Sequence, residues 1–481
     1  MSHVSPHADE RPAPTAEPTG ARRGRRPAWV LGVGGLAVGL VVGGCSGLGV
    51  GAVGGAALVA DGSSLGDLLT GDGGDERTVA EALPDELPRL RAFVAEERGL
   101  AWEREVPVEA LDDEAFETAL AGPDAGDAGP RDAGEGDAVE GDAVEGDAEL
   151  EEDGAVALDD PDGGRAETYA ALGLTPSATA YREAWDDGDS AVTGFYDTET
   201  REVVLRGQTW TPAVEETLVH ELTHALDDQH VDLDAVVAEG ATPEQVSAAT
   251  AVVEGSAEAV AWAWYDTLDD DRLDAYDEAW EVGPEDGTPE GEGVAEGDPA
   301  YDPLLDALSL FPYDYGYVAV EAVGDDGGPE AVDELLRAPL TTTEQVLAAR
   351  PDPGAVPGLA PAVEVDAPTA PEGVEVLGSG TLGLFPLALL PQVAQAGDEG
   401  YWLDPEDVVT HAWTGDAWTT WVDPADDDRA CTAVLVRLED ARGRDDLLDA
   451  LGPWVADASD VGAALEPVGD GDLRLTGCGE R

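Results

Sequence analysis

The stretch His220-Glu221-Leu222-Thr223-His224 constrains this chain more than any other, because it makes chemical sense only on a helix. Two histidines four positions apart stand one turn above each other on the same helical face. Two imidazoles so placed can hold one zinc ion. The glutamate beside the first histidine can then act on a water as general base. The flanking pattern supports a helix from Val214 to Gln229. The plainer reading is a helix with two surface histidines. Against it, histidine is scarce: there are six in 481 residues, and His3 and His7 lie in a polar tail.

A catalytic zinc takes three protein ligands and keeps one position open. Two candidates compete for the third place. His230 follows His224 by six residues, as in the metzincin pattern H-E-x-x-H-x-x-G-x-x-H. The glycine of that pattern is Asp227 here, and the only methionine is Met1, so a downstream methionine turn is missing. Glu254 is the stronger candidate. It lies thirty residues after His224, within Val253-Glu254-Gly255-Ser256-Ala257-Glu258, on a helix opened by Pro243. It is preferred because this position resembles the gluzincin arrangement, in which a second helix supplies a glutamate ligand. Glu258, one turn on, can accept a hydrogen bond from the free nitrogen of a ligating histidine. The plain alternative is solvated helix carboxylates. Against it, the neighbours Ala251, Val253, Ala257 and Val260 are apolar, and a carboxylate buried among them needs a partner.

The charge balance narrows the partners. Acidic residues number 105 against 24 basic ones, for a net charge of −81, and every basic residue is arginine. This excludes a nucleic-acid backbone as partner. It suits a halophilic, exported protein whose self-repulsion is screened by salt. Arg22, Arg23, Arg25 and Arg26 precede an uncharged run from Pro27 to Ala60, long enough to span a bilayer. Basic before and acidic after predicts a single-pass anchor with the bulk of the chain outside the cytoplasm. The alternative is a lipoprotein anchored at Cys45, within Val42-Gly43-Gly44-Cys45. In an oxidising compartment Cys431 and Cys478 are candidates for a disulfide.

Composition shifts divide the chain into a tail (1–27), an anchor (28–60), a linker (61–78) and a main domain (79–350). A Pro-rich linker (351–373) and a small C-terminal α+β domain (374–481) follow. The main domain is interrupted at 121–165 by an acidic low-complexity insertion, where Gly136–Glu140 repeats as Gly141–Glu145. Thr193–Asp197 and Arg201–Leu205 around an Asp/Thr turn predict a β-hairpin. Helical patterns cover Ala80–Glu97, Ala166–Leu172, Pro243–Leu268, Tyr313–Val323 and Pro329–Leu336.

The motif Leu218 through His230, with Val252 through Ala257, resembles a group of largely uncharacterised bacterial and archaeal zinc metallopeptidases of gluzincin type. Their active helix reads roughly A-H-E-L-T-H-A-L-Q-D-Q and their second helix A-L-V-E-G-D-A. Gly194–Asp197, Arg98-Gly99-Leu100 through Val108, Phe311-Pro312-Tyr313 before Gly316, Thr343–Leu347 and Trp413-Gly415-Asp416-Trp418 extend the likeness over most of residues 80–460. The chain departs from the pattern at Asp227 (usually Gln), Ser256 (often Asp) and Ala348-Ala349 (commonly His-Pro). The resemblance implies a zincin-like fold, so the expected class is α+β, mainly helical. It also favours Tyr313 over Tyr315 and His411 as the group that stabilises an oxyanion. The expected chemistry is zinc-dependent hydrolysis of peptide bonds in a peptide or protein substrate. Zn2+ would be held by His220, His224 and Glu254, with Glu221 as base. The alternative is a zinc-containing surface binding protein without turnover.

Overall fold

The computed structural model describes residues 77–120, 163–187, 192–207, 209–237, 241–282, 303–349, 362–392, 412–458 and 460–481. The expected anchor, Cys45, His411 and nearly all of the acidic insertion lie outside them. Among the described residues no helix is long and apolar enough to cross a membrane. The first half runs α1 (Val79–Arg98), β1 (Val108–Leu111), α2 (Asp113–Leu120), α3 (Arg165–Leu172), α4 (Ala178–Asp187), β2 (Gly194–Asp197), β3 (Glu202–Arg206) and α5 (Pro212–His230). Helices follow as α6 (Pro243–Tyr265), α7 (Asp270–Val282), α8 (Pro303–Gly327), α9 (Pro329–Arg337) and α10 (Thr343–Ala348). The rest is β4 (Val376–Gly380), α11 (Leu384–Leu389), β5 (Trp413–Val422), β6 (Arg429–Leu438), two short helices, β7 (Ala464–Val468) and β8 (Asp472–Glu480). The protein is α+β, with helices dominating the first part and a sheet the last.

The two helices that carry the histidines and the glutamate are started by side-chain caps. Thr211 accepts a hydrogen bond from the Val214 N–H, and Pro212 occupies the first turn of α5, where its missing N–H costs nothing. Thr242 and Gln245 form a reciprocal capping box at α6, again with proline at the start. From Glu215 to Asp227 every residue of α5 is buried. Leu218, Val219, Leu222 and Leu226 pack with Leu90 and Val94 of α1, Tyr196 and Val203 of the hairpin, and Val260 and Trp264 of α6. Each such aliphatic side chain contributes on the order of 2 kcal/mol, which offsets the cost of taking polar groups into the same helix. α6 is apolar on several faces and belongs to both large cores. Its Ala248, Ala251, Val252 and Val253 pack in the second core, with Phe311 and Tyr315 of α8.

The small sheet has the order β1-β3-β2, with β1 parallel and β2 antiparallel to β3, so β2 is an edge strand. The expected hairpin forms, pairing Gly194 with Leu205 through Asp197 with Glu202, and Asp197 turns the chain by accepting from the Glu199 and Thr200 N–H groups. The C-terminal sheet is antiparallel, in the order β4-β5-β6-β8-β7. α3 packs against it, and the apolar residues of the sheet share one core with α3, α4, α6 and α8. Cys431 and Cys478 face each other across β6 and β8 and are disulfide-bonded.

Two buried carboxyl groups tie that sheet to the start of α6. Glu244 accepts from the Thr343 N–H at 2.7 Å and its hydroxyl at 2.9 Å. Asp416 of β5 accepts from the N–H groups of Leu382 at 2.6 Å and Gly383 at 2.9 Å. The Phe385 N–H donates to the Thr343 hydroxyl at 3.0 Å. The loop entering α11 is therefore held through its backbone by both side chains and by Thr343.

Candidate metal centre

α5 and α6 bring three side chains to one point. His220 Nε2 and His224 Nε2 lie 3.0 Å apart, and Glu254 Oε2 is 3.1 Å from the first and 3.2 Å from the second. The imidazoles meet edge to face, with ring centroids 4.7 Å apart. All three residues are buried. Metal–ligand bonds of about 2.0 Å in a tetrahedral shell put neighbouring ligand atoms roughly 3.3 Å apart. The observed triangle is close to one face of such a shell, so the three atoms could hold one divalent ion.

The electrostatics favour positive charge at the centre of that triangle. Burial alone would raise the Glu254 carboxyl. The charge of His224 and hydrogen bonds to both imidazoles outweigh it and hold the group at about 2. Burial opposes charge on His220, yet Glu254 and Glu258 raise its pKa well above the usual histidine range.

Glu258 occupies the position expected one turn after Glu254. Its Oε1 is 3.2 Å from His220 Nδ1, at ion-pair distance, although the contact is not aligned as a hydrogen bond. The ring is thereby turned so that Nε2 faces Glu254. Glu221 is fully buried, and neither of its oxygens has a hydrogen-bond partner among the described residues. Burial pushes its carboxyl up to about 8, with His220 opposing and Glu254 adding. The Tyr196 backbone N–H, on edge strand β2, approaches it and favours the charged form without closing a bond. A buried carboxyl with no partner is costly and marks a position held for something other than packing.

Tyr313 of α8 lies over His220, with ring centroids 6.2 Å apart. Burial and the charges of Glu254, Glu221 and Glu258 hold its phenol well above 10, so it stays protonated and can donate. A close crossing delivers it there. A Cβ on Gly255 would fall 2.3 Å from the Gly316 carbonyl, and one on Gly316 would fall 2.1 Å from the Ala251 oxygen. Only glycine at both positions lets α6 and α8 touch backbone to backbone beside Glu254.

The other candidates are elsewhere. His230 Nε2 is 2.9 Å from the Ala101 carbonyl and takes no part in the triangle. Tyr315 stacks on Phe311 and packs against Phe385 in the core. Sequence reasoning missed Glu216, which is buried one turn before His220 with its Oε2 unpartnered. Burial pushes its carboxyl up to about 8, with Glu258 adding. The spacing 216–220–224 on one helical face was the available signal. No protein-family model, no curated protein and no solved structure matches this chain.

Proposed function

We propose that this chain is a zinc-dependent peptidase of gluzincin type that hydrolyses peptide bonds outside the cytoplasm. The observation that carries the reading is the meeting of His220, His224 and Glu254 at 3.0–3.2 Å beside a buried glutamate with no partner of its own. The donor set, two imidazoles and one carboxylate with a fourth position left over, suits catalytic zinc. A zincin-like arrangement is supported by the order of edge strand, histidine helix and glutamate helix. An extended peptide added to the free edge of β2 would run beside α5 and past Glu221. The Cys431–Cys478 disulfide supports an oxidising compartment, in keeping with an N-terminal membrane anchor.

Bound zinc supplies Lewis-acid chemistry, acidifying water and polarising a carbonyl oxygen. Glu221 is the base: its carboxylate takes a proton from the attacking water. The resulting carboxylic acid returns that proton to the amine nitrogen as the C–N bond breaks, restoring the carboxylate. The Tyr313 hydroxyl donates to the carbonyl oxygen as negative charge develops there. Glu258 holds the orientation of His220.

The test compares wild type with Glu221→Gln on an unstructured polypeptide, counting new amino termini. Wild type should generate them. Glu221→Gln should retain zinc and lose activity by about 10²–10⁴-fold. An equally active Glu221→Gln protein would refute the mechanism. Zinc-loaded wild type that cleaves nothing would support the binding protein without turnover.

A further inference from the structure

We propose that Asp227 is a positioning residue for the metal centre: through Ser256 it locks the rotation of α6 against α5 and so sets where Glu254 meets the two histidines. This rests on the metal-binding reading above. Asp227 follows His224 by three residues on α5, and Ser256 follows Glu254 by two on α6. Asp227 Oδ2 accepts from the Ser256 hydroxyl at 2.7 Å. Its Oδ1 accepts from Arg98 Nε at 2.8 Å, and the same guanidinium donates to Asp333 Oδ1 of α9 at 2.9 Å. Asp227, Ser256 and Arg98 are respectively 2 %, 1 % and 4 % exposed. Arg98 is itself fixed, as the last residue of α1 before Gly99 turns the chain at φ 65°. Three helices therefore meet on one carboxylate, and α9 joins them through the same guanidinium.

A carboxylate buried this deeply persists only with its partners in place. The bond across the α5–α6 seam is directional, whereas the apolar contacts around it tolerate sliding. Direction matters because the metal centre is exacting. A rotation of about 10° moves an atom roughly 6 Å from a helix axis by about 1 Å. Ligand distances tolerate only about 0.2 Å. Glu254 has no described hydrogen-bond partner beyond the imidazoles themselves to hold it against such a rotation.

The test uses the full chain loaded with Co2+. It compares wild type, Ser256→Ala, Asp227→Asn, the double variant Asp227→Asn/Ser256→Asp, and a remote control. The double variant moves the carboxylate across the same contact. The control, Thr420→Ala, breaks the buried hydroxyl chain Thr168–Thr420–Thr432 in the sheet. Co2+ affinity is read by chelator competition, the ligand field by visible absorption, and the fold by urea unfolding of metal-free protein. Ser256→Ala and Asp227→Asn should each weaken Co2+ binding about tenfold and change the absorption band. The double variant should regain most of the affinity lost in Asp227→Asn. Thr420→Ala should lower the urea midpoint and leave Co2+ binding unchanged. Affinity within about twofold of wild type in Ser256→Ala, or an equal loss in Thr420→Ala, would overturn the positioning role. Wild type that binds no Co2+ would overturn the metal centre, and this role with it.

Discussion

Gly316→Ala probes how tightly the site depends on the α6–α8 crossing. The added methyl would sit 2.1 Å from the Ala251 carbonyl oxygen, and ordinary contact begins near 3.4 Å. Neither partner is a flexible side chain, so the helices must part by more than 1 Å locally. Overpacking of this kind costs about 1–3 kcal/mol. Alanine recovers about 1 kcal/mol of helix propensity over glycine, leaving a net loss of up to about 2 kcal/mol. The metal centre should suffer more than the fold. Glu254 directly precedes Gly255, and Tyr313 lies one turn before Gly316, so separation carries both away from His220. Metal ligands tolerate only about 0.2 Å, and zinc affinity should fall about tenfold or more. Urea unfolding of the metal-free variant and chelator competition for zinc measure the two effects. Unchanged stability with unchanged zinc affinity would show that the crossing does not constrain the ligands.

Three further outcomes are expected. Glu258→Ala should weaken zinc binding about 10–100-fold by freeing the His220 ring, measured by chelator competition; unaltered affinity would remove Glu258 from the site. Burial pushes the Glu244 carboxyl up to about 8, against the Thr343 hydrogen bonds that lower it and with Asp416 adding. The folded state therefore keeps a proton that the unfolded chain releases near 4.5, and this group's contribution to stability falls as pH rises from about 4.5 to about 8. The slope is at most about 1.4 kcal/mol per pH unit. Glu244→Gln should flatten the curve over that window, by difference from wild type in urea titrations at successive pH values; parallel curves would contradict it. Finally, a net charge of −81 makes the folded chain self-repelling. The thermal midpoint should rise as the Debye length falls from about 10 Å at 0.1 M salt to about 3 Å at 1 M, and a falling midpoint would refute the repulsion argument.

What could be read in advance depended on periodicity and caps. Thr211-Pro212 and Thr242-Pro243 start α5 and α6 close to the expected places, and the hairpin follows its turn chemistry. Glu254 emerged from the resemblance of its helix to the gluzincin arrangement, and its apolar neighbours argued against a solvated carboxylate. α8 begins ten residues before the expected Tyr313 and carries Pro312 in its interior, where packing on α6 outweighs the lost backbone hydrogen bond. α4, α7, α10 and α11 are short or strongly acidic, and their patterns did not stand out. Glu216, Glu244, Asp227 and Asp416 were not picked out as buried. With 105 acidic residues in the chain, a buried carboxylate looks like a solvated one until the partner is seen. Those partners, Arg98 for Asp227 and Thr343 for Glu244, lie about a hundred residues or more away in sequence. Asp227 and Ser256, two of the departures from the pattern the helices resemble, turn out to face and hydrogen-bond each other.

The most direct measurement is zinc content per chain after exhaustive dialysis, taken by elemental analysis of wild type and four variants. About one zinc should remain in wild type and in His230→Ala, and none should be retained by His220→Ala, His224→Ala or Glu254→Ala. Zinc kept by Glu254→Ala and lost from His230→Ala, or a wild type with no affinity for zinc, would contradict the account.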